Sequence, residues 1–231
     1  MGIGYMIILG VFTGLGMLMQ NRLKSVFAKY GEYGTASGKT GREVAEDMLA
    51  YYNIHDVKVV PGQGSLTDHY NPGTKTIALS EPVYNSKSIS AAAVAAHECG
   101  HAIQHATSYS MLTMRSAIVP VVNFSAKAQK FLFMGMMMGM GASLISTNLM
   151  LTILTATFGI TALFAVVTLP VEFDASKRAL AWLDDTGYVQ GAEYDGAKKA
   201  LNWAAMTYIV SALSAIVMFL YFFMQMQNSR R

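Results

Sequence analysis

The sequence predicts a mainly α-helical membrane protein: about four transmembrane helices and a water-facing part that contains a small β-hairpin. Two observations predict it. The 231 residues are 53% hydrophobic and only 13% charged, with a mean hydropathy of +0.34, which is more apolar than an average soluble domain. The charges are also unevenly spread. Met1 to Gln20, Phe131 to Val171 and Leu201 to Ser229 carry none, and each stretch suffices for one or two spans of about 20 residues.

The first span covers about 3–20. No basic segment precedes its apolar run, and Gln20-Asn21-Arg22 is a poor cleavage site, so it reads as an anchor rather than a signal peptide. The second and third spans, 131–147 and 150–169, form a hairpin with Ser146-Thr147-Asn148 at its tip, and the fourth covers 203–224. Gly10, Gly14, Gly135 and Gly139 suit close helix packing. Met134, Met136, Met137, Met138 and Met140 are ordinary apolar filling inside a span rather than a copper path. Orientation follows the basic residues. Arg22, Lys24, Lys29, Lys127, Lys130, Lys177, Arg178, Lys198 and Lys199 all fall on one side, with Arg230 and Arg231 the contrary pair. The positive-inside rule puts 21–130 and 171–200 in the cytoplasm and both termini outside. A single cysteine fits a reducing compartment.

In the 21–130 part, residues 40–53 read as an amphipathic helix. Val44, Met48, Leu49 and Tyr52 share one face; Arg42, Glu43, Glu46 and Asp47 lie largely on the other. Val57-Lys58-Val59-Val60 reads as a strand that breaks at Pro61-Gly62. Ser65 to Tyr70 and Thr76 to Ser80 flank the turn-rich Asn71-Pro72-Gly73-Thr74 and predict a hairpin. Thr76 to Ser80 is the candidate edge strand for pairing with an extended peptide. Gly38-Lys39-Thr40 looks like the end of a P-loop, but Tyr33 stands where its first glycine belongs, so no nucleotide site is expected.

Next comes the most specific signal in the chain, His97-Glu98-Cys99-Gly100-His101. It spells H-E-x-x-H, which on a helix sets two imidazoles on one face, i and i+4, able to share one Zn²⁺, with a carboxylate beside them. Ser88-Ile89-Ser90 offers N-caps, and the alanine-rich run 91–96 is a strong helix former. Cys99 lies about 200° round the helix from His97 and should face away from the metal. A catalytic zinc needs a third protein ligand. His105 is eight residues from His97, about 12 Å along a helix, too far for both to share one ion. The metzincin pattern also fails, with Thr107 where its third His belongs. His55 and His69 are isolated in sequence. Glu172 is the better candidate. It follows Pro170 where the third span leaves the membrane, as in gluzincins, whose third ligand is a Glu from a downstream helix.

These stretches resemble the YugP family of membrane-bound neutral zinc metallopeptidases, over nearly the whole chain. The resemblance rests on 66–70 (Leu-Thr-Asp-His-Tyr), 95–102 around H-E-x-x-H, Arg115-Ser116-Ala117 with Pro120, and 169–176 (Leu-Pro-Val-Glu-Phe-Asp-Ala-Ser). More distantly the chain is similar to the HtpX and CAAX prenyl proteases. The resemblance implies a bacterial plasma-membrane, multi-pass, gluzincin-like zinc endopeptidase with its site on the cytoplasmic side, integrated with the spans as one domain. One Zn²⁺ per chain would be held by His97, His101 and Glu172, with Glu98 as general base on the bound water. In the wider group an Asp four residues after the Glu ligand supports a histidine. Here that position is Ser176, with Asp174 nearby, and either could take the role. His69, His105 and Tyr109 are candidates, by residue type, for a further donor to the transition state.

The expected partners are a membrane-associated protein or peptide substrate and the lipid bilayer, with a homo-oligomer allowed; no nucleic acid or nucleotide is expected. A site-2-type intramembrane protease would need a Leu-Asp-Gly motif, and Leu183-Asp184-Asp185 is the nearest match. A non-catalytic scaffold or chaperone with a structural zinc is the alternative, against which the intact Glu98 argues.

Overall fold

A computed structural model describes residues 2–137 and 146–229. The elements are α1 (Ile3–Gly31), α2 (Gly41–Tyr51), β1 (Lys58–Gly62), β2 (His69–Asn71), β3 (Thr76–Ser80), α3 (Glu81–Tyr84), α4 (Ile89–Ala106), α5 (Ser110–Met137), α6 (Thr147–Asp185) and α7 (Ala192–Ser229). The chain divides into two compact units.

One unit draws on Leu18–Thr113 and Pro170–Thr207. Its α2 starts at a capping box, the Thr40 side chain accepting from Glu43 N–H while the Glu43 carboxylate accepts from Thr40 N–H. Lys39, just ahead of this helix, pairs with Asp47 within it. Val44, Met48 and Leu49 bury the apolar face as the pattern predicts. Tyr52 lies past the last helical residue and is 39% exposed, so the predicted face is one residue shorter. α4 begins at Ser88, whose hydroxyl accepts from Ala91 N–H at 3.2 Å. It is the centre of this unit: every residue except His97, His105 and Ala106 is buried. Around it pack Met48 and Leu49 of α2, Ile77 and Leu79 of β3, and Ala179, Trp182 and Leu183 of α6.

The sheet has the order β1-β3-β2. β2 and β3 form the predicted hairpin, Asn71 Oδ1 accepting from Gly73 and Thr74 N–H across the turn. β2 is shorter than the predicted Ser65–Tyr70 strand. Asp68, just ahead of it, instead accepts from the Ser80 backbone N–H at 2.7 Å and from its hydroxyl. Two expectations need correcting. The first strand continues through Pro61-Gly62, because β1 is an edge strand and a missing N–H is tolerated there. For the same reason β3 is not the edge: β1 pairs with it in parallel on one side and β2 antiparallel on the other, using both of its backbone edges. β2 is the edge on the hairpin side.

The other unit draws on Met1–Met17, Met114–Leu169 and Tyr208–Arg231. Leu154, Met218 and Phe222 form its small core, with Phe158 stacked on Phe222 at 5.0 Å and Tyr5 and Phe133 against them. Among the described residues three helices are long and apolar enough to cross a membrane: α1, α6 and α7. The predicted spans 3–20, 150–169 and 203–224 lie within them. The predicted second span, 131–147, begins at the end of α5, and its residues 138–145, with Met138, Gly139 and Met140, lie outside the described residues, as do Arg230 and Arg231. α6 runs unbroken through Pro170, so the third predicted span and the segment carrying Glu172 are one helix.

Candidate metal centre

Helical periodicity puts His97 and His101 on one stripe of α4, and α6 brings Glu172 to that stripe. One ligand atom from each of the three lies within 4.8 Å of the others. Glu172 Oε2 is 3.4 Å from His97 Nε2 and 3.6 Å from His101 Nε2. The two rings are nearly perpendicular, with centroids 4.8 Å apart. Glu172 is 3% exposed and His101 9%, while His97 is half-buried.

The approach of the two helices is set by Gly100. A Cβ placed there would lie 2.6 Å from the Ala175 carbonyl oxygen and 2.9 Å from its Cα, closer than any side chain tolerates. Gly100 on α4 and Ala175 on α6 therefore let the backbones touch within one turn of the candidate ligands on both helices. Cys99 turns the other way, as the 200° offset predicts: its buried thiol points to the Ala45 carbonyl of α2, and burial pushes its pKa well up. Glu98, beside His97, is buried at 7% exposure.

The outer ring nitrogens are also engaged. His97 Nδ1 is 3.1 Å from Ser176 Oγ, and His101 Nδ1 is 3.0 Å from Gln104 Oε1. With Nδ1 committed to these partners, each ring aims Nε2 at Glu172. Burial raises the Glu172 pKa, but the neighbouring His101 and His97 outweigh it and hold the carboxyl well below the ordinary range. Burial lowers His101, yet Glu172 and Glu98 carry the balance upward. Beside the Glu172 carboxylate, His101 thus holds a proton more tightly than an ordinary imidazole, and a divalent cation binding there would displace it. Two nitrogens and one carboxylate oxygen are the donor set of a catalytic zinc with its fourth position open. The residues fit the metal that the sequence implies.

The remaining predicted residues fall at different depths. Ser176 touches His97 directly. Asp174 reaches no histidine; its Oδ2 accepts from Gln104 Nε2 at 2.9 Å and from Arg178 Nε at 2.6 Å. Tyr109 packs its ring under Arg178. His105 and His69 are exposed and outside the three-residue cluster: His105 Nδ1 is 2.8 Å from the Tyr70 hydroxyl, and His69 Nδ1 is 2.8 Å from the Thr67 carbonyl. His55 is also exposed, against Asn53 Oδ1. The sequence reading missed Gln104, which is fully buried at the centre of these contacts. Its position three residues after His101, on the neighbouring helical row, was the available signal.

A model of the family described as "Putative neutral zinc metallopeptidase" matches residues 5–227. The chain is 42% identical over 217 residues to "Putative membrane protease YugP" of Bacillus subtilis (strain 168), a match that covers 94% of each protein. No solved structure matches. A family model spanning nearly the full length, a full-length relative and a His-His-Glu cluster at the motif lead to one assignment: the chain belongs to the YugP family of neutral zinc metallopeptidases.

Proposed function

We propose that this protein is a zinc-dependent endopeptidase that hydrolyses peptide bonds at the cytoplasmic surface of the bacterial plasma membrane. The observation that carries this is the convergence of His97, His101 and Glu172 with both outer ring nitrogens already occupied. In this reading the three side chains hold one Zn²⁺, which when bound lowers the pKa of water and polarises a carbonyl. Glu98 takes a proton from the attacking water and delivers it to the leaving amine. A donor is also needed for the oxyanion. His105, one turn beyond His101, suits it: when Tyr70 donates to Nδ1, the neutral ring carries its proton on Nε2. An extended substrate would pair with β2, the edge strand of the hairpin.

The setting belongs to the same proposal. The apolar stretch of α6 ends three residues before Glu172, which supports a site near the bilayer surface and membrane-associated substrates. We propose four spans, both termini outside, and spans and catalytic part working as one domain. Glu98→Gln on detergent-purified protein tests the chemistry. The expected result is unchanged zinc content with cleavage of an unfolded model substrate reduced at least about 100-fold. If wild type and variant both hold zinc and cleave nothing in detergent or in vesicles, the structural-zinc scaffold replaces the peptidase.

A further inference from the structure

We propose that Gln104 is a positioning residue that fixes the tautomer of His101 and ties the Glu172 turn of α6 to α4, a role that rests on the metal-site reading above. Gln104 is fully buried, so each polar atom of its amide needs a partner within the protein. Its Oε1 lies 3.0 Å from His101 Nδ1. Its Nε2 donates to the Val171 carbonyl at 2.8 Å and to Asp174 Oδ2 at 2.9 Å.

The direction of this amide is dictated by chemistry. A carbonyl and a carboxylate only accept, so the NH₂ must face Val171 and Asp174. Flipping the amide would set oxygen against two oxygens at those distances. Oε1 therefore faces His101, and it too only accepts. His101 must present an N–H at Nδ1, which leaves the Nε2 lone pair for the metal. Arg178 holds the outer end by donating to the same Asp174 oxygen at 2.6 Å, and Tyr109 covers the guanidinium. The relay thus runs Arg178, Asp174, Gln104, His101. Its second anchor, Val171, is the residue before Glu172 and Asp174 lies two after it, so one amide grips both sides of the third ligand.

The test uses the full-length protein in detergent, with two readouts. One is zinc affinity by chelator competition. The other is the ¹⁵N shift pair of the His101 ring in metal-free protein above the imidazole pKa, which reports the tautomer. Gln104→Met keeps the size and removes the hydrogen bonds. Expected are about a 10–100-fold weaker zinc affinity and a mixture of His101 tautomers. Gln104→Glu sets a carboxylate against Asp174 and should also weaken zinc binding. Asp174→Asn, whose amide oxygen can accept from both Gln104 and Arg178 as the carboxylate does, should keep the single His101 tautomer. The contrast between this conservative variant and Gln104→Met separates positioning from a merely structural role, and helix content by circular dichroism checks that both fold. Wild-type affinity and a single unchanged tautomer in Gln104→Met overturn the proposal. A mixture of His101 tautomers in Asp174→Asn, with helix content intact, overturns it as well. The tautomer readout needs no metal, so a wild type that takes up no zinc sinks the metal reading and leaves this test standing.

Discussion

α1 and α4 are both apolar helices, and the structure treats them in opposite ways. The most apolar window of α1 is 0% buried, and Ile3, Met6, Ile7, Val11, Met17 and Leu18 all stand exposed. α4 is covered on nearly every side by protein. The difference lies in side-chain size. α4 is built from Ala, Gly, Ser and Cys around the motif, so neighbouring backbones can approach it closely. α1 carries large Ile, Leu and Met side chains that cover surface without needing a partner of matching shape. Hydropathy thus tells that a helix avoids water. Residue volume tells whether protein or lipid does the covering.

The hardest test of this contrast sits at Gly100. Gly100→Val should drive α4 and α6 apart and remove zinc from the purified protein, a loss of more than about 100-fold in affinity, since two of the proposed ligands sit on one helix and the third on the other. Gly14→Ala in α1, where nothing lies within 4 Å of an added Cβ, should leave zinc content unchanged. Equal zinc occupancy in both variants breaks the comparison. The next largest effect concerns α1 alone. Val11→Lys, at a 54% exposed position, should cost about 2.5–3.5 kcal/mol if that face meets lipid. The readout is the fraction of protein resisting alkaline extraction from membranes; an unchanged fraction would mean the face meets water. The smallest effect sharpens the α4 side. Thr40→Ala removes the α2 cap and should lower stability by about 1 kcal/mol in a denaturant titration, with zinc affinity untouched, because α2 packs against the Cys99 face of α4 and not the ligand face.

What was legible in the sequence was whatever is written locally or in a chemically rare pattern. His97, Glu98 and His101 announce themselves by spacing. Glu172 could be singled out because it is an acid just beyond an apolar stretch. The hairpin could be read from Asn71 to Thr74. The missed features depend on distant contacts. The pairing of β1 with β3 joins segments that no turn connects, so nothing near Thr76 marks it as a central strand. Gln104 sits near the end of a helix, just ahead of a polar turn, where glutamine usually faces water. Its burial exists only because α6 packs there, and its partners Val171 and Asp174 are 67 and 70 residues away. Asp174 and Ser176 were both named for a supporting role, and the structure gives them different ones: Ser176 meets His97, and Asp174 meets Gln104.

The contact at Gly100 bears on how the pentapeptide can be reused. In the shorthand H-E-x-x-H, the two unspecified letters look like free choices. In this protein each has its own neighbour: Cys99 fills a place against the Ala45 carbonyl, and Gly100 admits the backbone of Ala175. Grafting the motif onto another helical scaffold would therefore transfer the ligands without the fit. The receiving scaffold would need a groove that lets a second backbone reach the spacer, or its third ligand would stop one methyl group short of the other two.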